Sequence, residues 1–268
     1  MIATPRLLLI APRITETGLQ LLTAARGRGL RAHTATGWSV PPELADLGLP
    51  THLYGGPLFA DAVGRELGLA VLEPPEDWPA RLPVELTGRR IVHTTLAAAR
   101  ELSGPAFVKP PGDKAFAARV YPDGAALPGP ELLPGETPVL VSEVVAFAAE
   151  YRLFVLDGVV LAASRYAVAG ELDVAPLAGD PLAAAALGFA GELLRAVADG
   201  LPSAVVVDVG QLADGRWAVV EANPAWASGG YAADPERVLD VVLRAAGPAV
   251  AARPSDLAFG RALPAVLR

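Results

Sequence analysis

The chain has 268 residues and a formal net charge of −7, long enough for one large or two small domains and of the wrong sign for a main partner that is a polyanion. It contains no cysteine, which excludes disulfides, thiolate metal sites and a cysteine nucleophile. Arginine, alanine and proline are abundant while lysine, asparagine and methionine are scarce, the bias of a GC-rich coding sequence, in which arginine fills ordinary cationic positions.

The apolar run Leu7–Ile10, broken by Pro12 and Arg13, is too short for a signal peptide and reads as a first buried strand. No run of about 20 uncharged apolar residues follows, so no membrane span is expected, and a soluble cytoplasmic protein is the expectation. A helix over 15–26, a strand over 30–34, helical spacing over 57–67 and a strand over 69–72 predict a small α/β domain. A helix over 94–102 should end at Ser103-Gly104-Pro105. Strand-like runs then fall at 106–109, 117–121, 138–145, 150–156 and 159–165, separated by turn residues, and read as antiparallel. Asp180-Pro181 has the chemistry of a helix start, with the helix expected to reach about Asp199. Strands over 204–212 and 216–222 flank a turn at Asp214-Gly215, and Asp234-Pro235 opens a last helix.

The second of the two hairpins carries acidic chemistry. If Asp214-Gly215 is a two-residue turn, Asp208 faces Glu221 directly and Asn223 lies on the same face. Two opposed carboxylates repel, so a cation is expected between them, and three hard oxygen ligands suit Mg²⁺. Asn223 is the only asparagine in the chain. The alternative is a solvent-facing acidic hairpin, which the flanking valines oppose. In the first hairpin, a turn at Asp157-Gly158 places Glu150 opposite Arg165, with Arg152 on their face. Alone, that trio reads more readily as a surface salt bridge of little worth. Two arginines around one glutamate also leave a surplus charge suited to phosphate or carboxylate.

Lys109 and Lys114 are the only lysines among 22 basic residues. Lysine is a compact charge on a thin stem, whereas arginine is a wide planar fork, so a narrow site accepts one and rejects the other. Lys109 closes the apolar run Ala106-Phe107-Val108, and Lys114 follows Pro111-Gly112-Asp113 in a loop that lacks the Walker pattern.

Taken in order, Phe107-Val108-Lys109-Pro110, a lysine-bearing loop, Val141–Val145, Glu150-Tyr151-Arg152, Arg165, Asp208 and Glu221-Ala222-Asn223-Pro224 resemble the ATP-grasp superfamily, over roughly residues 92–245. The resemblance implies an α+β fold: a small N-terminal α/β domain (1–92), then two antiparallel-sheet subdomains (93–168 and 169–268) enclosing ATP. It implies that Lys109 and Lys114 contact phosphate, and that the Ser142, Glu143, Val144 and Val145 hinge binds adenine through its backbone. It further implies Glu150 on the ribose, and Asp208, Glu221 and Asn223 on Mg²⁺. Arg152, Arg165 and Lys114 would face phosphate or the acyl phosphate. The family's second strand lysine has no counterpart here; an arginine is the expected substitute.

The function that follows is an ATP-dependent ligase joining a carboxylate to an amine. A kinase, a thiol ligase or a nucleotide-binding regulator remain alternatives with the same site. A dinucleotide-dependent oxidoreductase is disfavoured, because no GxGxxG follows the first strand. The expected partners are small-molecule or peptide carboxylate and amine substrates, with no nucleic acid and no membrane; a homodimer is left open. His33, His52 and His93 are expected to be structural, with a substrate contact by one of them as the alternative. The N-terminal domain and the Ser228–Tyr231 loop are expected to shape the substrate pocket.

Overall fold

A computed structural model describes residues 5–45, 47–112, 115–197 and 199–265. Three parallel strands come first: β1 (Leu7–Ile10) lies between β2 (Arg31–Thr34) and β3 (Thr51–Tyr54), with Leu8 level with both Ala32 and His52. α1 (Glu16–Gly27) crosses from β1 to β2, and Thr15 caps it by accepting the Gly18 amide at 3.0 Å. α2 (Pro42–Ala45) and α3 (Pro57–Val63) flank β3, and β4 (Leu69–Val71) follows. The sequence Thr-His-Leu-Tyr of β3 has a single aliphatic residue and gives no strand pattern, yet all four residues are buried.

Two one-turn helices, α4 (Trp78–Arg81) and α5 (Val84–Thr87), lead to β5 (Ile91–Thr95). The helix expected over 94–102 is instead the end of this strand plus the short α6 (Leu96–Ala99). The β-branched run Ile-Val-His-Thr-Thr extends, and Thr95 then caps the turn by accepting the Ala98 amide. β5 joins β6 (Ala106–Lys109), β7 (Arg119–Tyr121) and β8 (Pro138–Ser142) in a four-stranded antiparallel sheet of order β5-β8-β6-β7.

A five-stranded antiparallel sheet is built from β9 (Phe147–Leu156), β10 (Val159–Val168), β11 (Glu171–Pro176), β12 (Ala204–Leu212) and β13 (Trp217–Asn223), in the order β11-β10-β9-β12-β13. The division expected after residue 168 falls between β10 and β11, which pair in this sheet. α7 (Ala183–Ala196) covers one face, packing Ala186, Ala190 and Leu193 against Tyr151, Leu153, Val155 and Val207. It begins three residues after Asp180, whose carboxylate accepts the Leu182 amide at 2.9 Å as well as the Tyr151 hydroxyl at 2.8 Å and Arg165 at 2.8 Å. α8 (Pro235–Ala245), capped by Asp234, buries Val238, Leu239 and Val242 between the other face and the parallel sheet. β14 (Ala246–Pro248) then pairs antiparallel with β4.

Candidate active site

The hairpin of β12 and β13 reaches the expected pairing by an unexpected route. The turn has three residues, Ala213-Asp214-Gly215, closed by the Leu212 amide on the Arg216 carbonyl at 2.7 Å. Pairing therefore begins one residue out of step, with Gln211 opposite Trp217 and Val209 opposite Val219. Val220 is then an extra residue, a β-bulge, and it restores the register: Asp208 faces Glu221 and Val206 faces Asn223.

The hairpin of β9 and β10 departs from expectation. Val160 pairs with Val155, but Leu161 is extra, so Arg152 faces Ser164 and Arg165 faces Tyr151. Tyr166 is a second extra residue, and Ala167 faces Glu150. Arg165 therefore does not share a face with Glu150 and Arg152. It lies on the α7 side, bonded to Asp180 at 2.8 Å and Asp173 at 3.0 Å. The residue that takes its place is Tyr166. Its hydroxyl donates to Glu150 at 2.7 Å, and its ring lies 5.6 Å from the Arg152 guanidinium and stacks on Tyr231 at 5.4 Å.

Two of the carboxylates on this face, Asp208 and Glu221, are each paired with a cation, while Glu150 accepts from the Tyr166 hydroxyl. Asp208, 1% exposed, accepts from Arg152 Nε at 2.9 Å and Nη2 at 2.7 Å. Lys109 on β6 reaches across to bond Glu221. Asn223 donates to Glu221 at 2.8 Å and to Asp208 at 3.3 Å. Burial raises the Asp208 carboxyl, and Arg152 offsets only part of that. Burial also opposes ionisation of Glu221, but Lys109 and Asn223 overcome it and hold that carboxyl below its ordinary value. Burial and the nearby Asp208 and Glu150 push the Tyr166 hydroxyl upward, so it stays a donor. The cation expected between the opposed carboxylates is thus supplied twice, by Arg152 and Lys109.

Asp208, Glu221 and Asn223 offer two carboxylates and an amide whose oxygen comes forward on a half-turn of the side chain. This hard-oxygen set fits Mg²⁺, which takes a few protein oxygens and completes its shell with water and phosphate. Among the described residues there is no cluster of three or more His, Cys, Asp or Glu that could hold a metal.

A cleft of 260 Å³ separates the four-stranded sheet from β9 and β13. Its walls are apolar, with Phe107, Val120, Leu140 and Phe147, and its polar end carries Lys109, Glu150 and Glu221. Ser142, Glu143, Val144 and Val145 form one rim, where Glu143 accepts the Arg90 amide at 2.8 Å. A second cavity of 130 Å³ shares Lys109 and Glu221 and is bordered by Glu73, Pro111, Asn223 and Arg261. Lys114 lies outside the described residues. None of His33, His52 or His93 borders either cavity. The Ser228–Tyr231 loop supports the face from beside β13. Its Ser228 carbonyl accepts Tyr54 Oη at 3.0 Å, its Gly230 amide donates to Thr17 Oγ1 at 2.8 Å, and Tyr231 lies 5.1 Å from the Arg152 guanidinium.

Two antiparallel sheets that close on an apolar cleft, with lysine on one and a carboxylate-asparagine hairpin on the other, define the ATP-grasp class. The chain belongs to the family described as the ATP-grasp domain, R-2-K clade family 2, whose profile matches residues 86–241. No curated protein sequence matches the chain. Among solved structures, it is similar to the ATP-grasp ligase PsnB complexed with a phosphomimetic minimal precursor, Mg and ADP, at 17% identity and TM-score 0.51, covering 91% of this chain and 99% of that one. D-cycloserine synthetase DcsG gives 18% identity and TM-score 0.52 over 88% of this chain and 98% of that one. D-alanine–D-alanine ligase from Bacillus anthracis gives 14% and 0.51 over 91% and 97%. At these identities the likeness shows a common fold.

Proposed function

We propose that the protein is an ATP-dependent ligase that joins a carboxylate to an amine. The observation that carries this reading is the bond from Lys109 on one sheet to Glu221 on the other beside an apolar cleft, with Arg152, Asp208 and Asn223 gathered on the Glu221 face. The names of the similar structures, two ligases and a synthetase, support it. The apolar walls suit a purine, and Glu150, bonded to Tyr166 at 2.7 Å, suits ribose hydroxyls. Asp208, Glu221 and Asn223 would hold Mg²⁺, which offsets phosphate charge when bound.

In the reaction, a substrate carboxylate oxygen forms a bond to the γ-phosphorus, and the bond to the ADP oxygen breaks. An amine nitrogen then attacks the acyl carbon, phosphate departs, and the nitrogen loses a proton. The chain supplies position and charge rather than a nucleophile. Lys109 and Arg152 each hold a carboxylate and are placed to turn toward phosphate oxygens. Small-molecule or peptide substrates are the chemical class this reading takes. No described helix is long and apolar enough to cross a membrane.

The test is calorimetry with ATP, with and without Mg²⁺, followed by phosphate release with pools of amino acids and small carboxylic acids. Binding strengthened by Mg²⁺, and an amide among the products, are expected. No ATP binding in either condition sinks the reading; a phosphorylated acceptor or a thioester would replace the ligase with a kinase or thiol ligase.

A further inference from the structure

Arg89, just ahead of β5, is 8% exposed and forms no hydrogen bond to a carboxylate among the described residues. Burial depresses its pKa, so the fold bears a cost in keeping it charged there. Arg89 also lines the cleft, where the nearby Glu150 and Glu221 carboxylates offset part of that cost, and its hydrogen bonds say where the guanidinium is held. Nη1 donates to the Val219 carbonyl at 2.8 Å and to the Thr87 carbonyl at 2.8 Å, and Nη2 donates to the Val220 carbonyl at 3.3 Å. The guanidinium also lies 5.4 Å from the Phe147 ring centre.

Val219 and Val220 are where the β12–β13 register changes. A bulge disturbs the ladder, and a buried carbonyl that loses its ladder partner needs another donor. The Arg89 fork meets the two successive carbonyls at that point. The consequence of the bulge is large, because strand side chains alternate with period two. Without Val220 as the extra residue, the pairing set by the three-residue turn would continue. Asp208 would then face Val220, and Glu221 would point to the opposite side of the sheet.

We infer that Arg89 is a positioning residue: it pins the Val220 bulge and thereby keeps Glu221 on the face of Asp208, Asn223 and Lys109. Its consequence for Mg²⁺–ATP rests on the ligase reading; its effect on register does not. Lysine cannot substitute, since one ammonium on a thin stem does not span two consecutive carbonyls as a planar fork does. Gly88 makes the approach possible: with φ at +63° it takes a left-handed turn, and a Cβ there would stand 2.7 Å from Leu212 Cδ1.

The absence of cysteine makes the register directly readable by engineered crosslinks. Val207 faces Ala222 in the native register, so a V207C/A222C pair should oxidise to a disulfide. A V206C/A222C pair reports a slip by one residue and should not oxidise in the otherwise native chain. Adding R89K, which keeps the charge and most of the stem, should lower the first crosslink and raise the second; R89M should do the same more strongly. In calorimetry, both variants should lose the Mg²⁺-dependent gain in ATP affinity and keep the Mg²⁺-independent part. R89K with an undiminished V207C/A222C crosslink overturns the inference, as does turnover lost only in step with the melting temperature. If the crosslinks shift as expected but the parent chain has no Mg²⁺-dependent ATP binding, the ligase reading falls and the role of Arg89 in register stands.

Discussion

The bond from Lys109 to Glu221 reverses what the opposed carboxylates alone suggest. Read as a bare pair, Asp208 and Glu221 repel, and neutralising one should stabilise the chain. In the fold each carboxylate already has its own cation, with side-chain exposure of 17% for Lys109 and 29% for Glu221. Glu221→Gln therefore strands a largely buried ammonium. Stability without nucleotide should fall by about 1–3 kcal/mol, the cost of leaving such a group poorly paired. ATP turnover at saturating Mg²⁺ should fall by orders of magnitude, more than the stability loss explains. Melting temperature and turnover, measured together, decide: a higher melting temperature would mean that the repulsion dominates, and unchanged turnover would remove Glu221 from the site. Lys109 stood out in the sequence because it is one of two lysines against a background of arginine. Arg89 did not, for the same reason inverted: where arginine fills every ordinary cationic position, one with a special task has no contrast.

Within the hairpins, alternation shows which residues can share a face but not where an extra residue resets the count. The pairing of Asp208 with Glu221 was legible although the turn was misjudged by one residue, because the Val220 bulge cancels that error. No such cancellation rescues Arg165. The bulge at Leu161 turns it toward Asp180 and leaves Tyr166 on the functional face. Bulges are set by packing and by donors such as Arg89 from distant segments, so local sequence does not announce them. β3 was illegible for a plainer reason: Thr-His-Leu-Tyr has a single aliphatic residue and gives no period, whereas β11 alternates only over the four residues Glu-Leu-Asp-Val, too short a run to stand out from a turn. The middle of β12 offers a test of this packing. A Cβ on Gly210 would lie 2.5 Å from Phe147 Cδ1 and 3.0 Å from the Ala149 carbonyl oxygen. Gly210→Ala should therefore cost about 1–3 kcal/mol by overpacking and push Phe147 from the cleft wall. ATP affinity should weaken along with the denaturation midpoint; an alanine variant with native midpoint and affinity would mean that Phe147 moves freely.

At the scale of the molecule, β3 is tied to α8 through His52, whose Nδ1 donates to the Leu243 carbonyl at 2.7 Å. Burial lowers the His52 pKa from its ordinary 6.5, and the hydrogen bond to Leu243 offsets only part of this. The folded state thus keeps the ring neutral where the unfolded chain takes up a proton. The stability this contributes is complete above 6.5 and is lost as pH falls from there toward the lower folded value. Urea midpoints at roughly pH 7.5 and 5.5 should differ for the parent chain, with the lower value at acid pH, and His52→Gln should flatten that difference. An equal slope in both proteins would assign the pH dependence elsewhere.

The same seam has a consequence for synthesis. The core around β1 and β3 holds Leu8, Leu53 and Val63 from early in the chain, together with Val206, Trp226, Val238 and Val242 from late in it. A nascent chain emerging from the ribosome therefore presents the apolar faces of its first strands long before their cover exists. It must hold them through the making of both antiparallel sheets, until α8 and β14 arrive. This parallel sheet is translated well before its cover, and that interval, rather than the finished fold, is when its apolar faces are most exposed to aggregation.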